Sequence, residues 1–252
     1  PTTGSTLVTG QRFDLRIETQ LPADRAPVLE SLTVNGTDVT ERFLATVRRQ
    51  GPGPESGTPT SSKLLGLTAR NLSISVPGRY RVRARVDVDG APAEIENELE
   101  VHRIAVDGAV KRVVVFLGDG MGQPMRTAAR ILSRGLFEGR VQGRLAMDEA
   151  DAIGLVMTTS FDSVITDSAP GMANYLTGVK QPNNALNVSV DNTPENPLDN
   201  PRVETLAEFL KRVHGWQIGV VTDAYAADAT PAAVTAHVRS RSERLAIAQQ
   251  ML

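Results

Sequence analysis

Two regions of different periodicity predict a chain in two parts: a small all-β sandwich over residues 1–107, then an α/β layered region over residues 108–252. The first region places apolar side chains at alternate positions between turn signals, the pattern of strands with one buried face. The second carries near-continuous apolar runs separated by stretches of helical spacing. Such runs suit strands buried on both faces of a parallel sheet and covered by helices. The change of pattern falls at residues 105–111.

Residues 12–18 (RFDLRIE) put Phe13, Leu15 and Ile17 on one face, and residues 79–88 (RYRVRARVDV) do the same with Tyr80, Val82, Ala84, Val86 and Val88. Leu72, Ile74 and Val76 form a further alternating set before Pro77-Gly78. Asn35-Gly36 and Asp89-Gly90 are pairs that accept the positive φ of tight hairpin turns. Residues 50–62 (QGPGPESGTPTSS) form a Gly/Pro/Ser loop. Short strands with turns at their ends make a small antiparallel sandwich. The segment PGRYRVRARV resembles the penultimate strand of bacterial immunoglobulin-like modules, which implies a sandwich of that kind and no function.

In the second region, residues 113–117 (VVVFL) are the first expected buried strand, and a helix follows over residues 126–136. Residues 153–159 and 217–222 (QIGVVT) are further strand candidates. A helix is expected over residues 203–214, closing at Gly215, and another begins over residues 231–237. Residues 180–202, rich in Asn, Pro and Asp, suggest a long surface loop.

Bulk composition narrows the function classes. With 27 basic and 29 acidic side chains the net charge is -2, so the chain lacks the clustered positive excess of a nucleic-acid platform. No apolar run approaches bilayer length, so no membrane span is expected. Cysteine is absent, which removes disulfides and thiolate metal sites. The three histidines, His102, His214 and His237, are expected to be surface or packing groups, the last two on helices. The sequence starts at Pro1; removal of an export signal and a sequence that simply begins there are both open readings.

Three motifs carry chemistry. Gly118-Asp119-Gly120-Met121-Gly122 follows the first apolar run, where an acid flanked by glycines suits a cation and equally makes an ordinary turn. In TDSAPGMANYLTGVK, residues 166–180, Ser168 stands at a helix N-terminus, where unpaired amides favour an anion and where a serine is also a common cap. In DATPAAVTAHVRSR, residues 228–241, Asp228 and Thr230 offer two oxygens to one hard cation, and Arg241 can grip two phosphate oxygens at once. Each alone also reads as a capped helix with solvated side chains.

In this order, VVVFLGDGMG, TDSAPGMANYLTGVKQPNNAL and DATPAAVTAHVRSR closely resemble the alkaline phosphatase family, over residues from about 111 to 252. The resemblance implies that Asp119 matches the carboxylate bridging the second zinc and the magnesium. It implies that Ser168 matches the serine that is transiently phosphorylated and coordinates zinc, and that Arg241 matches the phosphate-binding arginine. Asp167 then matches the acid orienting that arginine, and Asp228 and Thr230 match residues of the magnesium site. Pro170-Gly171-Met172 depart from the family's small residues after the nucleophile.

The implied cofactors are two Zn²⁺ and one Mg²⁺, with the remaining ligands absent from this chain. The implied reaction is hydrolysis of a phosphate monoester to inorganic phosphate. The implied partners are a C-terminal remainder of the same enzyme and, in a homodimer, a second copy; the expected location is periplasmic or extracellular. A phosphodiesterase or sulfatase of the same superfamily, and a non-catalytic binding module, stay open. The sandwich is expected to be a spacer or oligomerisation module.

Overall fold

A computed structural model describes residues 2–22, 28–50, 62–88, 90–105, 108, 110–189, 191 and 198–252. The chain forms two compact units, residues 1–106 with 159–252, and residues 107–158.

The N-terminal part of the first unit is a two-sheet sandwich. Its elements are β1 (Ser5–Val8), β2 (Phe13–Pro22), β3 (Val28–Val34), β4 (Thr37–Asp38), helix α1 (Thr40–Thr46), β5 (Arg48–Gln50), β6 (Ser62–Leu72), β7 (Gly78–Val88) and β8 (Ala91–His102). One sheet runs β1-β8-β7-β3-β4 and the other β2-β6-β5. Ile17, Leu67 and Ala69 face Leu29, Leu32, Ala84 and Val86 across the core, with Phe43 of α1 filling it. The alternation at Phe13 and Ile17, and at Ala84 and Val86, is therefore a true inside face.

Two strand expectations change. The sandwich is not wholly antiparallel, because β1 pairs parallel to β8. Nor are Ile74 and Val76 in a strand: β6 ends at Leu72, and Pro77 cannot donate to a ladder. Asn35 and Gly36, at φ 50° and 80°, make the expected turn between β3 and β4. Asp89 and residues 51–61 of the expected loop lie outside the described residues.

The second unit holds helix α2 (Gln123–Arg134), the short pair β9 (Leu136–Phe137) and β10 (Arg140–Val141), and a 3₁₀ turn at Ala146–Glu149. Gly122 precedes α2 with Pro near its first position, and Gly135 closes it with its N–H on Ile131 O. Asp148 accepts from Arg126 and Arg130 and from the Leu145 amide, and the Arg130 bond first among these holds its carboxyl well below the usual carboxylate range.

Three expected strands do not form. Residues 113–117, 153–159 and 217–222 have no ladder partner among the described residues. Phe116 is 95%, Leu155 90% and Val221 103% exposed. A strand apolar on both faces is stable only between neighbouring strands with a layer above and below. These segments have the composition of such strands without those neighbours.

The rest of the first unit carries α3 (Ser168–Thr177), α4 (Leu206–His214), α5 (Ala229–Ala232) and α6 (Arg244–Met251). The helix expected from residue 203 starts later, since Val203 instead bridges to Phe13. The helix expected over residues 231–237 is the four-residue α5 and ends before His237; β-branched Val234 and Thr235 follow it, and Val238 pairs with Leu186. Residues 180–202 are no surface loop in their described part: Gln181, Leu186, Asn187 and Val188 are buried. The Asn187 amide makes this tolerable by donating to Ala233 O and Ala236 O at 2.7 and 2.8 Å.

The sandwich is packed directly on this part. Leu7, Phe13, Leu99 and Val101 share one core with Val179 and Val203. Buried Gln11 donates to Thr177 O at the end of α3 and to Glu204 O before α4, at 3.0 and 2.8 Å. The Thr6 amide donates to Gly178 O at 2.8 Å.

Candidate active site

Small residues bring the chemistry together. Ala169 and Ala173 of α3 pack against Ala229, Ala232, Ala233 and Ala236 in one buried cluster that Ile247 of α6 closes. Alanines on both sides let the two helix starts approach closely, and those starts carry Asp167, Ser168 and Asp228. α3 ends where it should, with Gly178 in the left-handed region at φ 73° and its N–H on Asn174 O.

Arg241 ties the cluster. Its Nη1 donates to Asp167 Oδ2 at 2.8 Å and to Ser168 Oγ at 3.0 Å, while its Nη2 donates to Asp228 Oδ1 at 2.7 Å. Asp167 is also the N-cap of α3, accepting from the Ala169 amide, and its Oδ1 accepts from the Asn184 amide at 2.9 Å. Asp228 caps α5 through the Ala229 amide at 2.8 Å. That bond first, and then the guanidinium, hold the Asp228 carboxyl below its ordinary value. Burial works against the charge on Arg241, but its bonds to Asp228 and Asp167 outweigh burial and raise its pKa further. The guanidinium is thus a permanent cation pointed at a serine hydroxyl. Such an array can hold an oxyanion at Ser168 Oγ.

Four of the six predicted site residues, Asp167, Ser168, Asp228 and Arg241, meet in direct hydrogen bonds. Thr230 lies on α5, two residues from Asp228. Asp119 sits at an exposed turn of the other unit, with Gly120 at φ 65°. Sequence reasoning missed Asn184, whose amide meets Asp167 while its carbonyl accepts from the Arg241 amide at 2.7 Å. The signal was present: Asn184 adopts φ 63°, a conformation that an Asn-Asn turn tolerates. Of the surface and packing readings of His237, packing is the one found, and the pairing was missed: its Nδ1 faces Asn187 O at 3.0 Å and its Nε2 faces Glu208 Oε1 at 2.9 Å. His214 packs edge-on to Phe209.

Residues 110–251 match the protein family described as alkaline phosphatase. The chain belongs to the alkaline phosphatase family. Among its relatives, streptomycin-6-phosphate phosphatase of Streptomyces griseus is 42% identical over 137 residues, 52% of this chain and 28% of that protein. The tissue-nonspecific alkaline phosphatase of Felis catus is 33% identical over 156 residues, 61% of this chain and 29% of the other. An alkaline phosphatase of Escherichia fergusonii is 33% identical over 193 residues, 75% of this chain and 37% of the other. The chain therefore spans about a third of the length of these alkaline phosphatases.

The family generally uses zinc and magnesium. Among the described residues no group of three or more His, Asp or Glu is assembled to hold a metal. Asp228 and Thr230 carry oxygens, the donor type that suits a hard Mg²⁺ ion. Zinc's preference for imidazole is not met, since His237 is committed to Asn187 O and Glu208. No helix of the described residues is long and apolar enough to cross a membrane.

Proposed function

We propose that this chain is the portion of a phosphomonoester hydrolase that carries its nucleophile, Ser168, and its phosphate-gripping arginine, Arg241. The observation that supports this reading is the single guanidinium nitrogen lying 2.8 Å from Asp167 Oδ2 and 3.0 Å from Ser168 Oγ. A phosphoryl group bonded to that oxygen would place its non-bridging oxygens within reach of the same guanidinium. Ser168 gives up its hydroxyl proton to solvent as its Oγ attacks phosphorus, the ester P–O bond breaks, and the departing alkoxide takes up a proton from solvent. Water then cleaves the phosphoserine, returning the hydroxyl and inorganic phosphate. Asp167 positions Arg241 throughout, and Asp228 holds its other edge.

Asp119, Ser168, Asp228 and Thr230 are each proposed as metal ligands, Asp228 and Thr230 toward Mg²⁺ and Ser168 toward zinc. The zinc ligand sets are completed by residues beyond this chain in a C-terminal remainder. When bound, these metals supply Lewis-acid stabilisation of the oxyanions. Residues 1–107 are proposed as an immunoglobulin-like domain, the whole protein as a periplasmic or extracellular enzyme, and a homodimer as its assembly.

Relative rates on an aryl phosphate monoester, a diester and an aryl sulfate test the assignment in the longest polypeptide that contains this chain. The monoester is expected to turn over fastest, and chelation by EDTA to remove that activity. Faster turnover of the diester or sulfate, or full activity after chelation, would overturn it.

A further inference from the structure

Away from the Ser168–Arg241 cluster, a cavity of about 450 Å³ opens in the first unit between the sandwich and α4, and none of the cluster's residues lines it. Its charged lining comprises Arg12, Arg70 and Arg202 with Asp14, Glu204 and Glu208, and His237 beside them. The acids are committed. Asp14 Oδ2 accepts from Arg70 Nη1 at 2.7 Å and from the Arg202 amide at 3.1 Å, and its Oδ1 accepts from the Asn71 amide at 2.9 Å. Glu204 accepts from Arg212 Nε and Nη2 at 2.6 and 2.7 Å and from the Arg12 amide at 2.8 Å. Glu208 accepts from His237 Nε2 at 2.9 Å and from the Thr205 amide at 2.8 Å.

The bases are not all committed. Arg70 is held by Asp14 and by Asp199 O at 3.1 Å. The side chains of Arg12 and Arg202, and the Asn71 amide group beside them, have no partner among the described residues. Each oxygen of every lining acid already receives a donor, whereas two guanidinia do not give one. Among the described residues the unspent charge of the lining is therefore positive, and a bound anion would meet donors and no free carboxylate of that lining.

We propose that this cavity is a second anion site, for a small phosphate-type oxyanion. Arg12 and Arg202 immediately precede the bridged residues Phe13 and Val203 on two neighbouring segments, and both line the cavity. A tetrahedral dianion can accept from both together, while a planar carboxylate matches one fork. The volume admits inorganic phosphate or a small phosphate ester.

The test is a titration of inorganic phosphate into ¹⁵N-labelled protein at constant ionic strength, with an Arg241→Ala variant to empty the other candidate site. Saturable shifts of the Arg12, Asn71 and Arg202 amides are expected in both proteins. Combined Arg12→Gln and Arg202→Gln substitution is expected to weaken that affinity at least about tenfold. No saturable shift at these amides in the unsubstituted protein, unchanged affinity in the doubly substituted one, or tighter binding of citrate than of phosphate at the same amides would overturn the assignment. Because the unsubstituted protein carries the first readout, a misfolded variant does not rescue the proposal.

Discussion

At the scale of single residues, Arg241 and Gly178 carry the sharpest expectations. Arg241 serves three acceptors at once in a fixed fork, and a lysine there reaches one of them as a point charge. Arg241→Lys is expected to lower kcat/KM on an aryl phosphate about 10–100-fold, read from steady-state kinetics. Gly178 is unforgiving for a different reason: a Cβ added there would stand 1.8 Å from Thr6 O, and the residue sits at φ +73°. Gly178→Ala is expected to cost at least about 2 kcal/mol, measured as a drop in the urea midpoint. An unchanged midpoint would mean that β1 does not rest on the end of α3.

At the scale of elements, α4 shows how a helix fastens the segment leading to Arg241. Thr205 accepts from the Glu208 amide while Glu208 accepts from the Thr205 amide, and the same carboxylate meets buried His237, four residues before Arg241. Burial pushes the Glu208 carboxyl up, but the hydrogen bond and charge of His237 outweigh it, so its folded pKa lies below its ordinary value. Its stabilising contribution is then complete above that ordinary value and is lost as the pH falls through the folded one. Stability measured across about pH 3–6 should fall less steeply with acid in Glu208→Gln than in the unsubstituted protein. Equal slopes would contradict the pairing.

Much of this was legible locally. The closure of α4 at Gly215 is a short-range device that a sequence displays directly, whereas the caps fall on Asp167 and not Ser168, and on Thr205 and not before Val203. The meeting of Asp167 with Arg241, 74 residues apart, was reachable only through the family resemblance, because no periodicity encodes it. The His237–Glu208 pair left no pattern, since a buried histidine and a solvated one read alike.

At the scale of the whole molecule, the sandwich is no detached spacer. It shares a core with Val179 and Val203, and Arg16 of β2, lying on Gly66, reaches Asp191 and Asp199 at 3.8 and 3.7 Å. Removing residues 1–105 would bare Val179 and Val203, so the shortened chain is expected to be insoluble or loosely packed when expressed. A sharp, cooperative thermal transition in that truncation would refute this. Alternation revealed the sandwich strands, one of whose cores is completed within residues 1–102, yet the docking through the other was hidden because such contacts follow no period. The runs at residues 113–117, 153–159 and 217–222 have the composition of buried strands, yet the structure leaves them exposed and without a ladder partner among the described residues. Their pairing could not be read, because a ladder needs neighbours that composition does not name.

The central step of the proposed reaction is the bond from Ser168 Oγ to phosphorus. Acid quenching of the full enzyme during turnover of a phosphate monoester, followed by peptide mass spectrometry, should find a phosphoryl adduct on Ser168. The same adduct should be missing, together with activity, in Ser168→Ala. Turnover without an adduct on Ser168, or undiminished turnover in Ser168→Ala, would contradict it.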